Sequence, residues 1–192
     1  MIRLPLQNLQ TLIEFVKPFE LTKYLLLLEI KNQKTLKPTA DLSLKEVIQK
    51  MEYYCAYQER CHAEVKEKLY SFQINQEEKD QVIVHLLDNN YLNEERFASI
   101  FTQSKLHQKK WGKKRITNEL KARNISAYLI TKSIKEIDFN DYETTFDQLC
   151  SKHWETITER NTLKKRKKFC DYLLRKGWES ERVYEKVKEL EG

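Results

Sequence analysis

The sequence predicts an all-α protein, an elongated tandem array of three three-helix repeats of the helix-turn-helix kind, and three observations predict it. Helix breakers are almost confined to one end. Pro5, Pro18 and Pro38 all precede residue 39, and the body holds only Gly112, Gly177 and the terminal Gly192. A sheet protein needs turn residues at frequent intervals, so a long body without them, with 33% of the chain charged, reads as helical. The second observation is period: Ile116 and Leu120 lie four apart, and Ile130, Ile134 and Ile137 resume the spacing after a pause at Asn124-Ile125-Ser126. The third is repetition. Val65, Leu69, Ile74, Ile83 and Leu86 match Ile116, Leu120, Ile125, Ile134 and Ile137 at a constant shift of 51, and Phe169, Leu173, Trp178, Val187 and Leu190 match those again at 53. Repeats of this period stack as arrays in which each unit buries its face against the next.

Residues 1–40 stand apart as an N-terminal extension, with every proline, a Leu-rich piece from Phe19 to Ile30 and a polar linker, Lys31–Ala40. A docked helix, a mobile appendage and an annotation extension upstream of the true start are all compatible with them. The first repeat, 41–92, opens at Ser43, which forms a capping-box pattern with Glu46. Leu44, Val47, Ile48, Met51, Tyr54 and Cys55 follow at helical spacing, and a second helix is expected from about Glu59 to Phe72. Asn75 with Glu78 caps a third through Val82, Ile83, Leu86 and Leu87, and Asn89-Asn90 ends it.

In the second repeat, 93–139, Asn93 caps a helix whose first turn holds Glu94 and Glu95. Phe97, Ile100, Phe101 and Leu106 form its apolar stripe, Gly112 separates it from the helix carrying Ile116 and Leu120, and Ser126 caps the last helix. The third repeat, 140–192, is expected to open at Asn140-Asp141. Tyr142, Phe146, Leu149 and Trp154 lie on its first helix, Phe169, Tyr172 and Leu173 on its second, Gly177 at the C-terminal cap, and Val183, Tyr184, Val187 and Leu190 on its last.

The formal charge of +6 is concentrated rather than even. Thr102–Arg123 holds eight basic residues against Glu119, and Arg160–Lys176 holds eight against Asp171. Residues 77–95 lean the other way through Glu77, Glu78, Asp80, Asp88, Glu94 and Glu95. An asymmetric field of this kind points to a polyanionic partner, the alternative being solvated helix faces. Lys109, Lys110, Lys113, Lys114 and Arg115 surround Trp111, whose indole can stack on a base or pack at a helix junction. Lys164, Lys165, Arg166, Lys167 and Lys168 form a second, purely charged run that steers electrostatically.

Catalysis finds little support. A phosphate-cradling glycine loop is impossible with so few glycines. Cys61-His62 and Cys55 give no recognised metal spacing, and Cys150 with His153 lacks a second pair. His85 and His107 show no evident partner in the sequence, and Asp138, Asp141, Asp147, Glu155 and Glu159 are scattered without an apolar setting. The chain is read as a non-enzyme without cofactor or metal. Four cysteines in helical patterns, with no secretory signal, are expected as reduced thiols in a cytoplasmic protein. The apolar run Tyr24–Leu28 is too short for a membrane span.

Four blocks in order resemble the RecX family of RecA regulators. Tyr91-Leu92-Asn93-Glu94-Glu95-Arg96-Phe97-Ala98 is similar to that family's short signature. Trp111-Gly112-Lys113-Lys114-Arg115-Ile116-Thr117-Asn118-Glu119-Leu120 is similar to its next block, and Leu173-Leu174-Arg175-Lys176-Gly177-Trp178 to its C-terminal one. Tyr54-Cys55-Ala56-Tyr57-Gln58-Glu59-Arg60-Cys61-His62 resembles the opening block of Bacteroidetes-type members. The resemblance covers about residues 41–191, and residues 1–40 have no counterpart in it. It implies a cytoplasmic protein that binds the RecA–DNA filament in its groove, spans neighbouring protomers and restrains strand exchange and ATP hydrolysis. Partners implied are the RecA recombinase filament and, weakly and electrostatically, single- and double-stranded DNA, with the chain itself a monomer. The two basic runs, Trp111 and Arg96 are the candidate contacts, with Phe97 a core residue and Arg96 also suited to a structural ion pair. The rival reading is a sequence-nonspecific DNA-binding protein with no recombinase partner.

Overall fold

The computed structural model describes residues 42–191, so the extension expected at 1–40 lies outside the described residues. Nine helices and no strand occur among them: α1 (Leu44–Tyr57), α2 (His62–Leu69), α3 (Gln76–Asp88), α4 (Glu94–Lys109), α5 (Lys113–Ala122), α6 (Ala127–Lys135), α7 (Phe139–Thr156), α8 (Thr162–Lys176) and α9 (Ser180–Glu191).

The helices begin and end where local chemistry satisfies their open backbone groups. Ser43 with Glu46, and Asn75 with Glu78, form complete capping boxes at α1 and α3. Asn93 and Ser126 accept the amides of Arg96 and Leu129 at the starts of α4 and α6. Asn90, Lys110, Asn124 and Gly177 take the left-handed conformation beyond α3, α4, α5 and α8.

Several boundaries and faces differ from expectation. α2 runs only from His62 to Leu69, because Gln58 is extended and ends α1, and the backbone stays non-helical until Cys61 has entered an apolar core. α7 opens earlier than Asn140, since the carboxylate of Asp138 accepts the Asp141 amide at 2.8 Å and makes Phe139 the first helical residue. Ile100 is exposed on α4, and the buried positions there are Phe97, Ala98, Thr102 and Leu106. Thr102 donates to Ser133 at 3.2 Å, and Ser133 donates to the Ile130 carbonyl at 3.0 Å, so small hydroxyl side chains carry this part of the α4–α6 packing. Leu87 and Tyr184 likewise turn outward despite their spacing.

The chain divides into two compact units. Unit 1 holds the described residues up to Glu59 and from Val65 to Leu92, and its core joins Val47, Met51 and Cys55 of α1 to Val65 and Leu69 of α2 and Val82 and Leu86 of α3. Unit 2 holds Arg60–Glu64 and everything from Asn93 onward. Its six helices α4–α9 share one core, in which Ile116 and Leu120 join Tyr142, Phe146, Phe169, Leu173 and Trp178. Trp178 is fully buried, with its ring 4.6 Å from Tyr142 and 4.8 Å from Phe146. All fifteen positions aligned by the internal repeat are buried or half-buried.

Candidate interaction surface

The first basic run sits where two glycines of unit 2 bring backbones together. The Gly112 amide donates to the Lys176 carbonyl at 2.9 Å, and the Lys114 amide donates to the Gly177 carbonyl at 3.1 Å. A Cβ at Gly112 would lie 2.4 Å from the Gly177 oxygen, and one at Gly177 would lie 2.3 Å from the Arg115 backbone nitrogen. Only residues without side chains permit this approach, and Gly177 also needs its φ of +87°. Further bonds close the joint. Lys176 Nζ donates to the Lys109 carbonyl at 2.8 Å, Trp178 Nε1 to the Lys110 carbonyl at 3.3 Å, and Arg115 Nη1 to the Arg175 carbonyl at 3.0 Å. The last carbonyls of α4, left open by any helix end, are thereby satisfied from α8 and the residue after Gly177.

This joint gathers Lys109, Lys110, Lys113, Lys114 and Arg115 with Arg175 and Lys176. No carboxylate among the described residues closes an ion pair with any of the seven. Burial, then the Arg115 and Lys109 charges, hold the Lys176 ammonium below its ordinary pKa. α5 also carries Lys113, Lys114 and Arg115 in its first turn, which itself contains no acid. A cation at a helix N-terminus opposes the helix dipole, at a cost of about 0.3–1 kcal/mol each near the surface. The first two amides of α5 are not available to a ligand, because Tyr142 Oη takes the Lys113 amide at 3.0 Å and Gly177 takes that of Lys114.

Trp111 is half-buried against the core, with the Arg115 guanidinium 4.2 Å from its ring centre and Lys105 Nζ at 5.7 Å. That indole orients cations more than it offers a bare stacking face. The second run differs from the first. Arg166 pairs with Glu191, Lys167 with Asp171 and Lys168 with Glu159, while Lys165 covers the Trp154 ring at 4.1 Å. Much of its charge is neutralised by its own neighbours; Lys164 is exposed and has no such pair among the described residues. Arg96 is half-buried in the first turn of α4, roughly 20 Å along that helix from Lys109 at 1.5 Å per residue, so it lies away from the joint. Phe97 is a core residue.

Two histidines read as partnerless have partners. His85 Nε2 lies 2.7 Å from Glu52 in unit 1, and His107 Nε2 lies 3.2 Å from Asp141 in unit 2. Each partner sits on another helix more than 30 positions away, which periodicity does not reveal. The scattered acids also have local roles: Asp138 caps α7, Asp147 pairs with Lys186, and hydrogen bonds from the Asn161 amide and Lys168 hold Glu159 below its ordinary pKa. All four cysteines are free thiols and buried, and burial pushes Cys150 up to about 12. Among the described residues no cluster of three or more His, Cys, Asp or Glu side chains is placed to hold a metal, and no helix is long and apolar enough to cross a membrane.

Arg175 and Lys176 were absent from the sequence-derived candidates. The signal for them was Gly177, since Arg175-Lys176-Gly177-Trp178 mirrors Lys110-Trp111-Gly112-Lys113 in putting bases beside a Trp-Gly pair.

Residues 93–134 match the family model described as RecX, second three-helix domain, which spans α4, α5 and most of α6. The chain is 29% identical over 139 residues to the regulatory protein RecX of Bacillus cytotoxicus, covering 71% of this chain and 51% of that protein. It is 30% identical over 129 residues to the regulatory protein RecX of Lactococcus lactis subsp. cremoris, covering 66% and 48%. It thus spans about half the length of these curated relatives. In fold it is similar to the crystal structure of RecX from Lactobacillus salivarius, at a TM-score of 0.65 and 20% identity over 77% of this chain and 96% of that one. A second crystal structure, of a regulatory protein RecX, aligns at a TM-score of 0.64 and 17% identity over 86% and 87%.

Proposed function

We propose that this chain, which belongs to the RecX family, binds the RecA–DNA filament through the basic joint of unit 2 and thereby restrains strand exchange and ATP hydrolysis in DNA repair and recombination. The observation that carries this reading is electrostatic. Seven cations are gathered at one backbone joint without a carboxylate ion-pair partner among the described residues, three of them against a helix dipole, an arrangement whose cost an external polyanion offsets. Lys109, Lys110, Lys113, Lys114, Arg115, Arg175 and Lys176 are the residues assigned to it. Lys164–Lys168 add long-range attraction, weakened by their internal pairs. No catalytic step is assigned to the chain, and its curated relatives are named as regulatory proteins.

The test is the DNA-dependent ATPase of RecA from the same organism, with and without this protein and with a Lys113→Ala, Lys114→Ala, Arg115→Ala triple variant. Inhibition well below one copy per recombinase protomer, weakened in the variant, is expected. Intact binding to free DNA with no effect on the ATPase at stoichiometric protein favours the rival reading of a plain, sequence-nonspecific DNA-binding protein.

A further inference from the structure

Unit 2 carries a second charged feature that a polyanion does not use. A groove of about 720 Å³ runs between the first half of α7 and α9. Its walls hold Glu143, Asp147, Glu179, Glu181, Glu185 and Glu189 against Arg182 and Lys186, a net excess of four negative charges. Both cations are already engaged inside the groove. Arg182 pairs with Glu143 and, at 4.0 Å, with Glu179; Lys186 pairs at 2.9 Å with both Asp147 and Glu189. Phe139, on the same wall at the first position of α7, is 68% exposed, a large apolar surface for a side chain with no ring contact among the described residues.

The groove adjoins the basic joint. Lys113 Nζ lies 4.3 Å from the centre of the Tyr142 ring, and the Tyr142 hydroxyl donates to Glu179 at 3.0 Å. Lys114 acts electrostatically on Glu181. An unpaired positive patch and a net negative groove thus share a border. Neighbouring patches of opposite sign become complementary to themselves under a two-fold rotation, the symmetry of the commonest homo-oligomers.

We propose that these two patches pair a second copy of this chain: the basic joint of each copy lies on the acidic groove of the other, with Phe139 as the apolar anchor. The occupant is a second copy because the chain itself presents the complementary charge, unneutralised and next to the groove. Contacts made largely of exposed charges are salt-labile and weak. A Kd of about 0.1 mM at low salt is expected, so dilute protein is monomeric. Because a polyanion takes the same cations, it competes with self-pairing, and the pairing masks the joint until a polyanion displaces it.

The experiment is sedimentation velocity on the full chain at low and high salt, without DNA or recombinase, so that its outcome is independent of filament binding. A joint variant, with Lys109, Lys110, Lys113 and Lys114 all changed to Glu, turns the joint net negative and so presents two acidic patches; a groove variant, with Glu181, Glu185 and Glu189 all changed to Lys, turns the groove net positive and presents two basic ones. All seven side chains are exposed or half-buried at the surface, and circular dichroism checks that each variant folds. Each alone is expected to pair at least about tenfold more weakly than wild type, since like charges then face each other. The equimolar mixture is expected to recover pairing, and Phe139→Ser to weaken it. Wild type that stays monomeric at low salt overturns the proposal, and so does a mixture that fails to pair where wild type does. Monomeric wild type that binds an oligolysine peptide, with binding abolished in the groove variant, also overturns it and assigns the groove to a basic segment of another protein.

Discussion

Gly112 and Gly177, 65 positions apart, meet backbone to backbone, and a methyl group on Gly112 would stand 2.4 Å from the Gly177 carbonyl oxygen. The obstructing atoms are backbone, so no side chain can swing aside. Gly112→Ala is expected to cost about 1–3 kcal/mol, the range for forced overpacking, although Ala suits Gly112's own φ of −78°. Chemical denaturation checks this; an unchanged midpoint would mean that the joint opens without penalty.

Occupying the joint with a polyanion should stabilise the protein. Ligand at a hundred times its Kd adds about 2.7 kcal/mol to a site that exists only when folded. A rise in Tm with a short oligonucleotide or heparin is expected in wild type, reduced in the Lys113, Lys114, Arg115 triple alanine variant. The same variant should flatten the log–log salt dependence of DNA binding by about 2.7, at roughly 0.9 for each phosphate that is no longer neutralised. An unaltered slope would place the phosphate-binding cations elsewhere.

His153 gives a pH dependence with a defined sign. Burial, then the Arg175 charge, lowers its pKa from 6.5, and its ring stacks 3.8 Å from that of Tyr172. Below 6.5 the unfolded chain takes up this proton more readily than the folded one. The histidine's contribution is therefore full above the unfolded value, declines as pH falls from there toward the folded value, and is constant below it. Denaturant midpoints across that window should rise less steeply with pH in His153→Phe than in wild type. The comparison isolates His153 from the His62–Glu94, His85–Glu52 and His107–Asp141 pairs, which are present in both proteins.

Leu120 is fully buried in the core of unit 2. Leu120→Ala is expected to lose about 2–5 kcal/mol by thermal or denaturant unfolding. A loss below about 0.5 kcal/mol, the ordinary range of a surface change, would contradict its place in the repeat.

What could be read from the sequence was local or periodic. Ser43 with Glu46 and Asn75 with Glu78 announce helix starts because each cap is complete within four residues. Leu69, Leu120 and Leu173 announce a core because a helix returns to the same face every three or four positions. Lys109–Arg115 stood out by density alone. What stayed hidden was non-local. Gly177 marks Arg175 and Lys176 in the sequence, but nothing near Gly112 says that the two glycines touch, so only the fold joins these bases to the first basic run. Period alone also favoured Ile100 over Thr102, yet the close α4–α6 packing buries the smaller hydroxyl against Ser133. In the second basic run Asp171 and Glu159 lie near their partners in sequence, but the Glu191 that pairs with Arg166 comes from the end of α9, which density alone does not reveal.

The carbonyls of Lys109 and Lys110 depend on Lys176 and Trp178 for their partners, and this has a dynamic consequence. The end of α4 cannot fray while α8 and α9 remain in place, nor can those helices detach without stranding polar groups at the joint. Local opening is thereby tied to loss of the whole. Amide hydrogen exchange in α5 and α8 should converge on one opening free energy, with the six helices of unit 2 behaving as a single foldon.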